Sequence, residues 1–325
     1  MKILWITKEY ISEVKAGAEQ YAHNLNKFLI SKGHEVKVLV PSDYKECTYE
    51  GVEIVTTDIK EKRDSLVEWS EIILTHLGYT ELTLNYINEY RPILYVSHNT
   101  FYDDLKFLEG RDNVSIIYNS QASKSISPFT NNAMILRPPQ ILKRTVEDAN
   151  KNRYITLINY SKKKGGELLK KLAEAMPTHK FMAVGGGYDE QIKQPECVLI
   201  RQNTKDISKI YEESRIILMP SEYESWGMVA SEAITNGIPV IASDCFGLKE
   251  NLGSAGIFCE LEVEPWIKAI KLLDNELIYK RKQEQALIRA NELMEQNEKE
   301  LNAVEIFIQG EIDKYKNKFI KLMYK

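Results

Sequence analysis

Short apolar runs alternate with segments of helical spacing from the first residue onward. Met1–Ile6 is the first run, and the polar, turn-like Thr7–Gly17 follows it. Ala18–Lys32 sets Tyr21, Leu25, Phe28 and Leu29 on one face of a helix. Gly33 stands where a left-handed helix stop belongs, and EVKVLVP reads as the next strand. The unit then recurs: strands at Ile54–Thr56 and Ile72–Thr75, a helix over Thr80–Tyr90, the strand PILYVSH opened by Pro92, then SIIYNS and AMILRPP. Strands this apolar, interleaved with helices, predict a parallel sheet covered on both faces.

The rhythm breaks at RPPQILKRTVEDANKNR, where prolines and a polar, charged stretch interrupt it, and then restarts. YITLIN, HKFMAVGGG, CVLI, RIILMPS and IPVIAS read as strands; GGELLKKLAEAM, ISKIYEES and a segment from near Gly227 to Gly237 read as helices. Beyond Glu264 the pattern is helical to the end, with charge runs such as Tyr279–Gln285 as solvated faces. The expected architecture is α/β: two doubly wound, Rossmann-like domains facing a central cleft, over residues 1–143 and 144–300, with a C-terminal helix over 301–325. Ligands of such sheets collect at the carboxyl ends of the strands.

Composition narrows the class without naming a chemistry. The 325 residues are 43% hydrophobic and 28% charged, an ordinary balance for a folded chain. A net charge of -4 gives no global pull toward nucleic acid or acidic lipid. Cys47, Cys197, Cys245 and Cys259 form no C-x-x-C pair and neighbour no histidine cluster, so they read as reduced thiols. MKILWI is too short for the apolar core of a signal peptide, which predicts a cytoplasmic protein.

The stretch SEYESWGMVASEA, Ser221–Ala233, carries two acids, Glu224 and Glu232, around Trp226 and Gly227. It follows the strand RIILMPS, so Glu224 lies on a loop and a helix starts near Gly227 and Met228. The unpaired amides of a helix N-terminus favour an anion such as phosphate. Glu232, a turn or so into the helix, can project to the same side, and the two oxygens of a carboxylate suit the vicinal hydroxyls of a ribose. On spacing alone, the pair reads equally as a surface loop acid and a solvated helix residue.

The wider run MPSEYESWGMVASEAITNGIPVIASDCFGLKENLG resembles the donor-site signature of the retaining GT-B glycosyltransferases of glycosyltransferase family 4, the glycosyl transferases group 1. Glu224 and Glu232 occupy the two acid positions of that family's E-x7-E motif. VKAGAEQYAHNLNKFLISKGHEVKVLVP is similar to its glycine loop, first helix and KGHEV strand, and ITLINYSKKKGGELLKKLAEAMP to the strand, Lys-Gly phosphate contact and helix that open its second domain. The resemblance implies a GT-B fold and transfer of a sugar, with retention, from a nucleotide-diphosphate sugar to an acceptor. It implies that Glu224 holds hydroxyls of the transferred sugar, Glu232 the ribose, and Lys164 with the amides at Gly227 and Met228 the diphosphate. It further implies that the leaving phosphate helps remove the acceptor proton. No D-x-D motif appears in a metal-binding setting, and with Lys164 on the diphosphate neither a metal nor another cofactor is expected.

Three positions depart from the family pattern. Ala16-Gly17 stands where two glycines are usual, leaving Gly17 as the close-approach residue beside the diphosphate. Asn159 stands where an arginine is frequent, so Lys164 must supply most of the positive charge, or Lys162 or Lys163 must substitute. Ser225-Trp226 replaces a common Gly-Phe and reshapes the sugar pocket. Gly185, with Gly186 and Gly187, is either a nucleotide contact or a tight turn.

His98 follows PILYVS at the end of a strand, and SHNT is similar to the family's acceptor-side histidine loop, which makes His98 a candidate for contact with the acceptor or the sugar. His76 occupies a like place one strand earlier, whereas His23, His34 and His179 read as structural. The last helix carries an apolar stripe of Ile308, Ile312, Tyr315, Phe319 and Leu322 flanked by Lys314, Lys318, Lys321 and Lys325. It fits a helix packing back on the first domain and, alternatively, a peripheral membrane contact. A nicotinamide-dependent oxidoreductase is disfavoured because TKEYISEVKAG lacks G-x-G-x-x-G. A non-catalytic sugar-nucleotide-binding or scaffold protein of the same fold is the standing alternative. The acceptor is open among lipid-linked sugar, polysaccharide, protein, small metabolite and nucleic acid, the last not indicated by the net charge.

Overall fold

A computed structural model describes the chain except residues 12–15, 88–90, 100, 102–104, 107, 140–153, 188, 205 and 324–325, and the backbone alone of 319–323. It divides into two compact units, Met1–Gln140 with Asn297–Lys325, and Ile141–Gln296. The expected boundary at 143/144 falls outside the described residues.

The first unit runs β1 (Lys2–Ile6), α1 (Gly17–Ser31), β2 (Glu35–Val40), β3 (Cys47–Tyr49), β4 (Val52–Thr56), α2 (Lys60–Trp69), β5 (Ile72–His76), α3 (Thr80–Tyr86), β6 (Ile93–Ser97), β7 (Val114–Tyr118), α4 (Gln121–Ser125) and β8 (Ala133–Ile135). The sheet order is β3-β4-β2-β1-β5-β6-β7-β8, parallel except for β3 against β4. Every residue of β5, β6 and β7 is buried, as their continuous apolar runs demand of strands covered on both faces. α1 buries Tyr21, Leu25 and Leu29 in one cluster with Trp5, Val38 and Leu74. It ends in a Schellman turn, with Gly33 N–H donating to Ile30 O at 2.9 Å and His34 N–H to Leu29 O at 3.1 Å. The helix expected over Thr80–Tyr90 stops at Tyr86, because Ile87 is extended and buries its side chain.

The second unit runs β9 (Tyr154–Ile158), α5 (Gly166–Ala175), β10 (Phe181–Val184), β11 (Val198–Arg201), α6 (Ser208–Glu213), β12 (Ser214–Met219), α7 (Met228–Thr235), β13 (Val240–Ser243), α8 (Phe246–Leu252), β14 (Ile257–Cys259) and α9 (Val263–Leu272). Its sheet is parallel throughout in the order β11-β10-β9-β12-β13-β14. In both sheets the first strand of the unit is central and the chain winds outward to either side. The switch points, where a doubly wound sheet opens a crevice at its carboxyl edge, therefore lie between β1 and β5 and between β9 and β12.

The helix expected to continue from Glu264 is broken after α9, and α10 (Glu276–Met323) follows. From Asn297 it belongs to the first unit, where Val304, Ile308 and Ile312 enter the core cluster of Ile3, Val36 and Ile72. Tyr315 is buried as well. These residues of the apolar stripe thus face the unit's interior and not solvent. Three carboxylates fasten the segment: Glu305 to His34 at 2.9 Å, Glu300 to the Arg137 amide at 2.8 Å and to its guanidinium, and buried Glu311 to Ser115 at 2.8 Å and Asn132 at 2.6 Å. Among the described residues, no helix is long and apolar enough to cross a membrane.

Candidate functional site

The switch point of the second unit gathers most of the residues singled out from the sequence. β9 leads through Asn159 into a 3₁₀ turn, Lys162–Lys164, closed by Gly165 in the left-handed region at φ +90°. A Cβ on Gly165 would lie 2.3 Å from Pro220 Cγ, so glycine is required both for the turn and for its contact with the loop after β12. The loops are further joined by Glu222 N–H donating to Lys163 O at 3.0 Å. That apposition turns Lys164, alone of the three lysines, out of full exposure and sets its Nζ 2.5 Å from Glu224 Oε1. The same carboxylate oxygen accepts from Ser221 Oγ at 2.9 Å. Lys164 and Glu224 are thus an ion pair across the crevice of one sheet.

The backbone that carries Glu224 is fixed from behind. Gly227 caps α7 at φ +84°, with its Cα against Leu248, and a Cβ on Gly247 would lie 2.2 Å from Glu224 O. Trp226 is buried in one cluster with Met219, Leu248 and Leu252 and donates its indole N–H to Ser231 Oγ at 3.1 Å. Asn251, fully buried on α8, donates to Trp226 O at 3.1 Å and Gly227 O at 2.9 Å. Trp226 therefore packs behind the loop, and Met228 opens the helix as the half-buried residue after the cap. Glu232, one turn further, is partly buried and accepts from Tyr211 Oη at 2.5 Å. Burial holds its carboxyl above the usual range, opposed by the Tyr211 hydrogen bond. This is not the setting of a solvated helix glutamate.

Asn159 adopts φ +62°, and its Oδ1 accepts from Ser161 N–H and Gln191 Nε2, each at 3.2 Å. Gly186 packs directly on that amide, since a Cβ there would lie 2.4 Å from Asn159 Cγ. Gly185 N–H donates to Arg201 O at 2.9 Å. The glycine turn and Asn159 are hence one hydrogen-bonded assembly at the ends of β9 and β10.

In the first unit, His76 ends β5 and His98 follows β6, with Thr7 just beyond β1. His76 Nε2 lies 2.8 Å from Thr7 Oγ1, and His76 Nδ1 lies 2.9 Å from His98 Nε2. Trp5 and Tyr21 meet the two rings edge-on at centroid distances of 5.2 and 5.0 Å. Burial lowers the pKa of His76 to about 4 and, aided by the neighbouring His76, takes that of His98 well below the usual range. Both rings are neutral at neutral pH. Gly17 is the exposed first residue of α1, while residues 12–15 of its loop lie outside the described residues. Glu19, in the first turn of that helix, is buried, and its Oε2 has no hydrogen-bond partner among the described residues.

The sequence profile of the glycosyl transferases group 1 matches residues 139–309, just over half of the chain. The chain belongs to that family. An uncharacterized glycosyltransferase of Haemophilus influenzae is 30% identical over 116 residues, 32% of this chain and 33% of the relative. The sulfoquinovosyl transferase SQD2 of Arabidopsis thaliana is 29% identical over 90 residues, 26% of this chain and 18% of the relative. The chain's matches thus span a third or less of these curated relatives. Likeness of fold extends much further. A sucrose-phosphate synthase from Thermosynechococcus elongatus superposes with a TM-score of 0.74 at 16% identity, over 95% of this chain and 98% of that one. The Anabaena protein HepE, solved with UDP and glucose, gives 0.70 at 16% identity over 93% and 100%. The two Rossmann-like units are those of the GT-B class of fold.

Within this group 1 chain, the profile match contains Asn159, Lys164, Gly185, Glu224, Trp226, Gly227, Met228 and Glu232, and the structure brings all of them to the carboxyl edge of one sheet or directly beneath it. Gly17 and His98 lie in the other unit. Tyr211, Gln191, Asn251 and Thr7 were not foreseen. Asn251 lies inside the run that resembles the donor-site signature but was not singled out within it, and the other three are polar residues outside any motif, signalled only by a place near a strand end or amid an apolar helix. Among the described residues, no group of three or more His, Cys, Asp or Glu side chains could hold a metal ion.

Proposed function

We propose that this chain is a retaining glycosyltransferase that takes a sugar from a nucleoside diphosphate donor. The observation that carries the reading is the Lys164–Glu224 pair at the switch point of the second unit, inside the region that matches the family. A lysine and a carboxylate on one crevice offer a cation for a leaving diphosphate beside acceptor oxygens for sugar hydroxyls. A donor's diphosphate would compete with Glu224 for Lys164 and release the carboxylate toward the sugar. The amides of Gly227 and Met228 would complete the anion site. Glu232, partly buried and held by Tyr211, would accept from the ribose hydroxyls, and Asn159 and Gly185 would border the nucleotide.

In the reaction, the bond from the anomeric carbon to the phosphate oxygen breaks as the acceptor oxygen bonds to that carbon on the same face. The acceptor proton passes to the departing phosphate. Lys164 neutralises the charge that develops there, so no step requires a metal or other cofactor. His98, whose ring meets Tyr21 of the helix that Gly17 opens, would serve the acceptor or the transferred sugar.

The test is turnover of a panel of UDP-, GDP-, ADP- and CDP-sugars by the full chain, read as release of the nucleoside diphosphate. One donor should turn over, and ¹H NMR of the product should show the donor's anomeric configuration. Stabilisation by a donor without turnover would favour a non-catalytic binder of the same fold. Inversion would overturn the retaining assignment.

A further inference from the structure

The carbonyls of Trp226 and Gly227 fix the orientation of the buried Asn251 amide. A carbonyl oxygen only accepts, so the group 3.1 Å from Trp226 O and 2.9 Å from Gly227 O is the NH₂, and its two hydrogens are directed there. Oδ1 then accepts from the Ser231 hydroxyl at 3.1 Å. Ser231 Oγ, which also lies 2.9 Å from the amide nitrogen, accepts the Trp226 indole N–H at 3.1 Å. Trp226 is thus held at both ends, by its side chain through Ser231 and by its own carbonyl through Asn251. All three side chains are buried, and Arg289 Nε fixes the main chain of Asn251 by donating to its carbonyl at 2.8 Å. A satisfied polar network in a buried place holds one backbone arrangement.

A trans peptide sets its N–H opposite its C=O. With Trp226 O turned toward Asn251 on α8, the N–H of Gly227 is turned away from α8. β13, which leads into α8, and β9, which leads into the lysine turn, flank β12 on opposite sides, so that direction is the Lys164 side of the loop. Gly227 is buried, yet its N–H has no acceptor among the described residues. A buried amide without an acceptor is costly, and a ligand oxygen would satisfy it.

We propose that Asn251 is a positioning residue which, supported by Ser231 and acting through the Trp226 carbonyl, aims the Gly227 amide at a phosphate oxygen of the donor. The inference rests on the glycosyl-transfer reading for the identity of that anion. Asn251 touches no substrate; it fixes the plane of the peptide bond that does. A donor held in place before the ligand arrives stabilises charge without reorganising, which is what a leaving diphosphate requires. Tryptophan at position 226 has a use here that phenylalanine lacks, since its indole N–H secures Ser231 beside Asn251.

The test is NMR of the full chain labelled with ¹⁵N-glycine, titrated with UDP, GDP, ADP and CDP and with the matching nucleosides, in wild type, Asn251→Leu and Ser231→Ala. The diphosphate that binds should move the wild-type Gly227 amide proton downfield, and its nucleoside should not. Asn251→Leu nearly keeps the volume and loses both donors, so the Kd of that diphosphate should rise about tenfold while that of the nucleoside stays unchanged. Ser231→Ala removes the hydroxyl between Trp226 and Asn251 and should raise the diphosphate Kd about threefold with the same split. This smaller change decides the matter if Asn251→Leu does not fold. A merely structural Asn251 would lower the melting temperature and leave the diphosphate and nucleoside Kd values in their wild-type ratio. That result overturns the proposal, as does a Gly227 amide unmoved by a bound diphosphate. Failure of every diphosphate to bind would instead overturn the glycosyl-transfer reading on which the anion depends.

Discussion

Glu19 and Glu232 show how differently two partly or wholly buried acids can be kept. Glu232 has the Tyr211 hydroxyl on one oxygen, whereas Glu19 Oε2 has no partner among the described residues. Burial raises the Glu19 pKa, opposed by a backbone hydrogen bond and reinforced by Glu9. A carboxyl raised in the folded state binds more protons there than in the unfolded chain. Its stabilising contribution is present at low pH and is lost as pH rises through the folded pKa. Glu19→Gln should therefore raise the melting temperature at pH 8 and change it little at pH 4. A variant that melts lower than wild type at pH 8 would show that the charged carboxylate gains more from its surroundings than burial costs it.

At the scale of elements, legibility followed burial. β5, β6 and β7 were readable because both faces of each are covered, so the sequence is predominantly apolar on successive residues. α2 was not, since it buries none of its residues and carries no stripe to find. β3 is three residues on a sheet edge, and α8 and β14 are too short for periodicity to resolve. The site divides in the same way. Lys164 and Glu224 were marked by local motifs, but their ion pair joins loops 60 residues apart and depends on the contact of Gly165 with Pro220. Asn251 stood inside the quoted signature run unremarked, because its bonds to the Trp226 and Gly227 carbonyls show only in the fold. The C-terminal segment of α10 gives the measurable case. Removing the buried Glu311 carboxylate would leave Ser115 and Asn132 without that partner, a loss of about 2–4 kcal/mol. Glu311→Ala should lower the melting temperature by roughly 4–12 °C, with Glu311→Gln closer to wild type and the exposed Ile306→Ala unchanged. Equal melting of all three would mean that the segment is not held by this contact.

For the whole molecule, the two units follow one plan, a central first strand with a switch point at its carboxyl edge, but they equip it with opposite chemistry. The first sets neutral, hydrogen-bonded histidines there, and the second sets a lysine–carboxylate pair suited to an anionic leaving group. The central claim is that Lys164 belongs to a donor's diphosphate. Calorimetric titration of the nucleoside diphosphate selected by the donor panel, into wild type and Lys164→Ala, tests it most directly. The account predicts weakening of about 1.5–3 kcal/mol, roughly tenfold to more than a hundredfold in Kd, with the fold retained. An unchanged Kd would contradict the account and remove the leaving-group role from Lys164.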